Sequence, residues 1–130
     1  MTARCQFTIP MLPPSVNHYV VHPAAGVHRK SAAAKAWERD FPIFAGSLYC
    51  VSPSGRFHVT LEFTPPRMGK GDVDNYNKLP LDCCAKRGMF RNAKNEPVSD
   101  AWVKWLEVKI HDLPGEREHG PQTKITIEAM

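Results

Sequence analysis

Arg56-Phe57-His58-Val59-Thr60-Leu61-Glu62-Phe63-Thr64-Pro65-Pro66 is followed at once by Arg67-Met68-Gly69-Lys70-Gly71-Asp72-Val73-Asp74-Asn75-Tyr76-Asn77-Lys78. In the first stretch Phe57, Val59, Leu61 and Phe63 fall on one side and mostly polar or basic residues on the other. That two-residue period belongs to a strand with one buried face. Pro65-Pro66 closes it, because proline has no N–H to continue the ladder. A basic loop over residues 67–71 then delivers the chain to two aspartates. Asp74 or Asn75 is placed to cap a helix reaching Lys86, on which Asp74, Lys78 and Asp82 recur every four residues and share a face. A strand running through a loop into a helix sets the class as α+β, and the flanking segments fit it.

Upstream, Cys5, Phe7 and Ile9 alternate with polar residues and predict a first strand ending at Pro10. Pro13-Pro14-Ser15-Val16-Asn17 is a rigid turn, and residues 19–22 begin a second strand. Ser31 is a helix N-cap, with Ala33, Trp37 and Phe41 on one face, and Pro42 kinks that helix or ends its first part. Downstream, residues 101–111 read as a strand with Trp102, Leu106, Val108 and Ile110 on one side. Residues 112–121 form a polar Gly/Pro loop, and Thr123, Ile125 and Ile127 alternate in a closing strand. The last two strands are expected to pair as a long-looped antiparallel hairpin. The expectation is one compact domain over residues 1–130, a mixed sheet with two main helices.

A chain of 130 residues supports one core and not two. It carries 17 Lys and Arg against 13 acids, net +4. Residues 1–71 hold 8 basic and 3 acidic groups, whereas residues 72–130 hold 9 and 10, so the acids gather around and after Asp72. A positive first half favours phosphate backbones without reading sequence, although +4 is equally compatible with ordinary solubility charge. The N-terminus lacks the continuous apolar stretch of a signal peptide, and no apolar run approaches a membrane span, so a cytoplasmic protein without a membrane partner is expected. Cys5, Cys50, Cys83 and Cys84 lack zinc-ligand spacing and read as reduced, buried small hydrophobes. Met89 and Phe90 read first as core residues, with a dimer interface or a substrate-opening surface as the alternative.

Hard divalent cations take oxygen ligands, and Mg²⁺ is usually held by a few carboxylates together with substrate phosphates. Asp72 and Asp74 at the end of a strand and the start of a helix are rigidly held yet open to an approaching phosphate. Asp100, just before a strand, can close such a site from the neighbouring edge, and Lys78 stands one helical turn from Asp74. Carboxylates around one or two Mg²⁺ ions activate water and neutralise the displaced oxygen in phosphodiester hydrolysis. An EF-hand starting at Asp72 fails, because its fifth, sixth and twelfth positions hold Tyr76, Asn77 and Cys83. The competing structural reading is a solvated charged helix face with an aspartate cap. The six histidines have no metalloprotease spacing.

From end to end the chain resembles the RusA family of Holliday junction resolvases. Phe7-Thr8-Ile9-Pro10-Met11-Leu12-Pro13-Pro14-Ser15-Val16-Asn17-His18-Tyr19 resembles that family's first strand and Pro-Pro-Ser-x-Asn turn. Asp72-Val73-Asp74-Asn75, with Lys78 and Asp82, is similar to its core D-x-D-N-x-x-K-x-x-x-D. Asp100-Ala101-Trp102-Val103, leading to Lys109, resembles its second acidic segment. The resemblance implies that Asp72, Asp74 and Asp100 bind Mg²⁺, with Mn²⁺ as a possible substitute, that Lys78 is catalytic and that Asp82 supports them. It implies a homodimer of bacterial, phage or prophage origin acting in recombination and repair. Such an enzyme makes paired nicks in four-way DNA junctions, leaving 5′-phosphate and 3′-hydroxyl ends. Arg29, Lys30, Arg67 and Lys70 are the candidate DNA contacts.

The chain departs from that pattern in three places. Ser99 stands where the family usually has a first acid, residues 91–98 lengthen the span between Asp82 and Asp100, and Pro80 falls inside the expected active-site helix. Either that helix begins late, near Leu79, or it kinks there. Two other functions fit the same residues: a junction-binding protein that no longer cuts, and a nuclease preferring flaps, forks or other branched DNA.

Overall fold

Strand β5 (Phe57–Thr64) is the strand around which the others are arranged. It pairs antiparallel with β8 (Gln122–Ala129) on one side and parallel with β7 (Val103–Ile110) on the other. β8 also pairs antiparallel with β1 (Arg4–Ile9), which gives the order β1-β8-β5-β7. The computed structural model describes residues 3–14, 20–24, 27–66, 76–118 and 120–130. Strands β2 (Val20–Ala24) and β3 (Val27–Lys30) form a small antiparallel ribbon, and β4 (Cys50–Val51) and β6 (Phe90–Arg91) a short parallel pair. Helices α1 (Ala32–Ala45) and α2 (Lys78–Lys86) complete a single compact α+β domain.

The alternation in β5 does what its period implies: Phe57, Val59, Leu61 and Phe63 are all fully buried. They meet Ile125 and Ile127 of β8, Phe7 and Ile9 of β1, and the apolar faces of both helices. Phe7 sets the edge of its ring against Phe41, centroids 5.6 Å apart, and Trp37 tilts onto Phe41 at 5.4 Å. Met89 and Phe90 are core residues, with the Phe90 ring 5.1 Å from that of Phe57. All four cysteines are free and buried, and burial pushes the Cys5 thiol up to about 11 and those of Cys50 and Cys83 to about 12.

Four expectations are corrected. The last two strands do not pair as a hairpin, because β5 lies between them and β7 runs parallel to it. Two similar apolar strands at the end of a chain cannot reveal from their own pattern that a third one separates them. Strand β7 begins at Val103, and Trp102 ends a 3₁₀ turn, Asp100–Trp102. A register shift between Phe57↔Val103 and His58↔Trp105 inserts one extra residue, so Val103 takes the inward place expected of Trp102. Ala34 rather than Ala33 joins Trp37 and Phe41 on the buried face of α1, whose Ser31 cap accepts from Ala34 N–H at 3.1 Å. That helix continues through Pro42 to Ala45, and Gly46, at φ +58, donates back to the Pro42 carbonyl at 2.9 Å. Among the described residues no helix is long and apolar enough to cross a membrane.

Candidate functional site

Helix α2 starts at Lys78, after Asn77, and not at Asp74 or Asn75. Pro80 is therefore its third residue, in the first turn, where backbone N–H groups have no intrahelical partner to lose. The helix runs on through it to Lys86. This late start removes Asp74 from the helix face it was expected to share, and leaves Lys78 and Asp82 there. Lys78 Nζ stands 3.8 Å from an Asp82 carboxylate oxygen, one turn along. The Lys78 side chain is 61% exposed, so the pair faces solvent and not the core.

Tyr76 fixes the approach to α2. It is buried, and its ring lies 5.4 Å from that of Phe63, near the C-terminal end of β5. Pro65 and Pro66 leave from that same end. Asp72, Asp74, Arg67 and Lys70 lie in this segment, outside the described residues. From Tyr76 the chain passes along α2 to Phe90, which packs on Phe57, so α2 runs back along β5.

Asp100 comes from the other end. Its turn precedes Val103, which lies opposite Phe57, and the turn packs against α2. Phe57 and Phe63 are separated by about 20 Å of strand. Asp100 thus enters beside α2 from the end of β5 opposite to Pro65 and Pro66. Ser99 has a definite job: its hydroxyl accepts from Ala101 N–H at 3.3 Å and caps the turn, which orients Asp100.

Asp82 and Asp100 carry the kind of oxygen a hard cation takes, and the Oδ1 of Asn77 is buried with no hydrogen-bond partner among the described residues. Among those residues, however, no group of three or more His, Cys, Asp or Glu is arranged to hold a metal, so a complete set would need Asp72 or Asp74. Nothing in the sequence marks the Asn77 Oδ1 as buried, since the residue stands among polar neighbours.

Of the candidate DNA contacts, Lys30 is paired with Glu38 on α1, to which Lys86 also reaches at 4.0 Å. The backbone of Arg29 pairs with Val21 in the small ribbon, and its side chain lies outside the described residues. The lengthened 91–98 segment is a well-tied loop. Arg91 bridges Pro97, and Asn92 Oδ1 accepts from the N–H groups of Lys94 and Glu96 at 2.9 and 3.0 Å. Asn95 takes the left-handed turn at φ 61 that asparagine tolerates.

A second polar cluster sits at the C-terminal ends of β5 and β7. His111 contacts Glu62 through Nε2 at 3.1 Å and Glu116 through Nδ1, while Lys124 stands 4.0 Å from Glu62. The Glu116 hydrogen bond, helped by Glu62, holds the imidazole above its ordinary pKa despite partial desolvation. Next to it, Arg117 Nη1 donates to the carbonyl of Pro66 at 3.4 Å, tying the 112–121 loop to the point where residues 67–75 depart.

A scan against protein-family models finds no match for this chain, and a search of curated proteins finds none either.

Proposed function

We propose that the protein is a Mg²⁺-dependent, structure-selective endodeoxyribonuclease of the RusA type, which resolves four-way DNA junctions by paired nicks as a homodimer. The observation that carries this reading is the placement of α2. It presents Lys78 and Asp82 together on an exposed face, starts where residues 67–75 end, and packs against the capped turn of Asp100. Asp72, Asp74 and Asp100 are the cation ligands in this reading, and Asn77 Oδ1 and Asp82 stand near enough in sequence to support them. Bound Mg²⁺ would activate water and neutralise charge on the departing oxygen. Lys78, exposed at the start of the helix, would hold a non-bridging oxygen of the scissile phosphate. The reading requires the Asp72–Asp74 pair to meet Asp100 across α2, so each carboxylate can be tested separately. A two-fold symmetric junction suits a dimer with two identical sites.

The test is cleavage of a synthetic four-way junction and of matched linear duplex, each in Mg²⁺ and in EDTA. Paired, metal-dependent nicks confined to the junction support the reading, and nicking of flaps or forks in preference would shift the substrate class. Ser99 favours one alternative, because its hydroxyl is spent on capping: tight junction binding without cleavage in any metal would make the protein a binding partner in recombination.

A further inference from the structure

A cleft of about 300 Å³ opens beside the turn that carries Asp100. Trp102 forms one wall, the turn at Ser54 and Gly55 another, and the 91–98 loop, through Asn92, Lys94 and Glu96, the third. The volume reaches the lower end of the range for small-molecule sites. Its walls are held independently of any ligand. Gly55, at φ +76, donates to the Ser52 carbonyl at 2.9 Å, and the Asn92 side chain ties the opposite loop. A Cβ at Gly55 would stand 3.9 Å from Trp102 Cε3, so the indole lies close over this turn.

Trp102 is 46% exposed, whereas Trp37 is 2% exposed. A large ring left open to water on a rigid cleft wall is a surface built for contact. Lys104 Nζ stands 5.6 Å from the Trp102 ring centroid while donating to the Ala101 carbonyl at 2.9 Å, and Lys94 lines the cleft opposite. An exposed indole with a lysine across the cleft matches an unpaired nucleotide: the ring stacks on any base and the ammonium meets a backbone phosphate. Glu96 accepts only, which suits a base amino group and not a phosphate.

We propose that this cleft takes one unpaired nucleotide of branched DNA, its base stacked on Trp102 and its phosphate met by Lys94. The inference rests on the nucleic-acid reading above and deepens it: one unpaired nucleotide is gripped two residues from Asp100, at the end of β5 where that carboxylate enters. A second copy of the chain is the competing occupant of this region. Edge strand β7 exposes Trp105 at 53% and Leu106 at 40%, but a copy pairing there would use the strand, whereas Trp102 precedes it and faces a cleft beside it.

The experiment measures fluorescence polarisation of a labelled fork with unpaired thymidines at its branch, and of a duplex of equal length, both in EDTA. Trp102→Ala and Trp102→Leu are expected to weaken fork binding about 5- to 150-fold, the range for losing one stacked base. Trp102→Phe should stay within about threefold of wild type, and duplex binding should not change. Lys94→Gln, which leaves the ring in place, should weaken fork binding and flatten its salt dependence by about one phosphate contact. Unchanged fork binding by Trp102→Ala, or equal losses on fork and duplex, overturns the proposal. So does a shift in sedimentation from dimer to monomer with fork affinity intact, which would assign Trp102 to a second copy. Wild-type protein that binds neither DNA overturns both this inference and the nuclease reading. Trp102-dependent fork binding by a protein that cleaves nothing in Mg²⁺ removes the nuclease reading alone. Junction cleavage with fork affinity unaffected by Trp102→Ala removes this inference alone.

Discussion

The ring of Tyr76 packs on the ring of Phe63 with centroids 5.4 Å apart, which fastens the start of α2 to the C-terminal end of β5. Both are buried, so the contact joins the sheet core to the segment carrying Asp72 and Asp74. Tyr76→Ala should cost about 3 kcal/mol of unfolding free energy, as expected for emptying a buried aromatic site. It should also lower junction cleavage under conditions where the variant remains folded. Tyr76→Phe, which keeps the ring, should recover most of the stability in chemical denaturation.

Exposed Lys78 and half-buried Asp82 form a pair one helical turn apart, in the weaker orientation with the lysine nearer the N-terminus. Such a pair contributes about 0.5 kcal/mol or less to stability. Lys78→Gln should therefore leave the thermal midpoint within about 2 °C of wild type. If the lysine acts at the phosphate, cleavage should fall by about 100-fold or more, the scale for losing a positioned charge at a reacting oxygen. Equal cleavage by this variant would restrict Lys78 to a solvated helix face.

His111 gives a pH dependence of predictable direction. Its folded pKa is raised, chiefly by Glu116 and then by Glu62, above the unfolded value of about 6.5. A raised pKa means that the folded state binds the proton more tightly. The stabilisation is therefore fully present below about pH 6.5 and is lost as pH rises through the folded pKa. Thermal midpoints measured from pH 5.5 to pH 8.5 should decline more steeply for wild type than for His111→Asn. Because the protonated His111 holds Glu116 of the same loop, the amide protection factors of loop 112–121, which already remove the intrinsic base catalysis of exchange, should fall at the alkaline end.

Cys84 is fully buried, and desolvation holds its thiol well above the ordinary value. Folded protein should react slowly with a thiol reagent, and all four cysteines should react on denaturation. Cys84→Ser places a hydroxyl in the core and should destabilise by about 1–3 kcal/mol if that group finds no partner. Cys84→Ala removes the sulfur without adding a polar atom and should cost less.

The local patterns were legible where one residue's environment depends on its near neighbours. The β5 alternation and the Ser31 cap both appear in the structure as their sequences imply, because period and capping chemistry are local properties. What escaped was set by distant partners. The insertion of β5 between β7 and β8 depends on which strands find each other, and the bulge near Lys104 on fitting Val103 opposite Phe57. Pro80, by contrast, pointed to a late helix start near Leu79 as one of two alternatives, and the observed start at Lys78 makes it an ordinary first-turn proline. Of the candidate site, the Lys78–Asp82 face was legible from the four-residue interval. The entry of Asp100 from the opposite end of β5 was not, because it follows from the parallel pairing of β5 with β7.

The most direct measurement is the single-turnover cleavage rate of a four-way junction by wild type, Asp72→Asn, Asp74→Asn and Asp100→Asn, each in Mg²⁺. The account predicts junction-specific nicking by wild type and a loss of about 100-fold or more in each variant, with folding preserved, because every one removes a charged oxygen donor from a shared cation. Cleavage by Asp72→Asn and Asp74→Asn at the wild-type rate would contradict it.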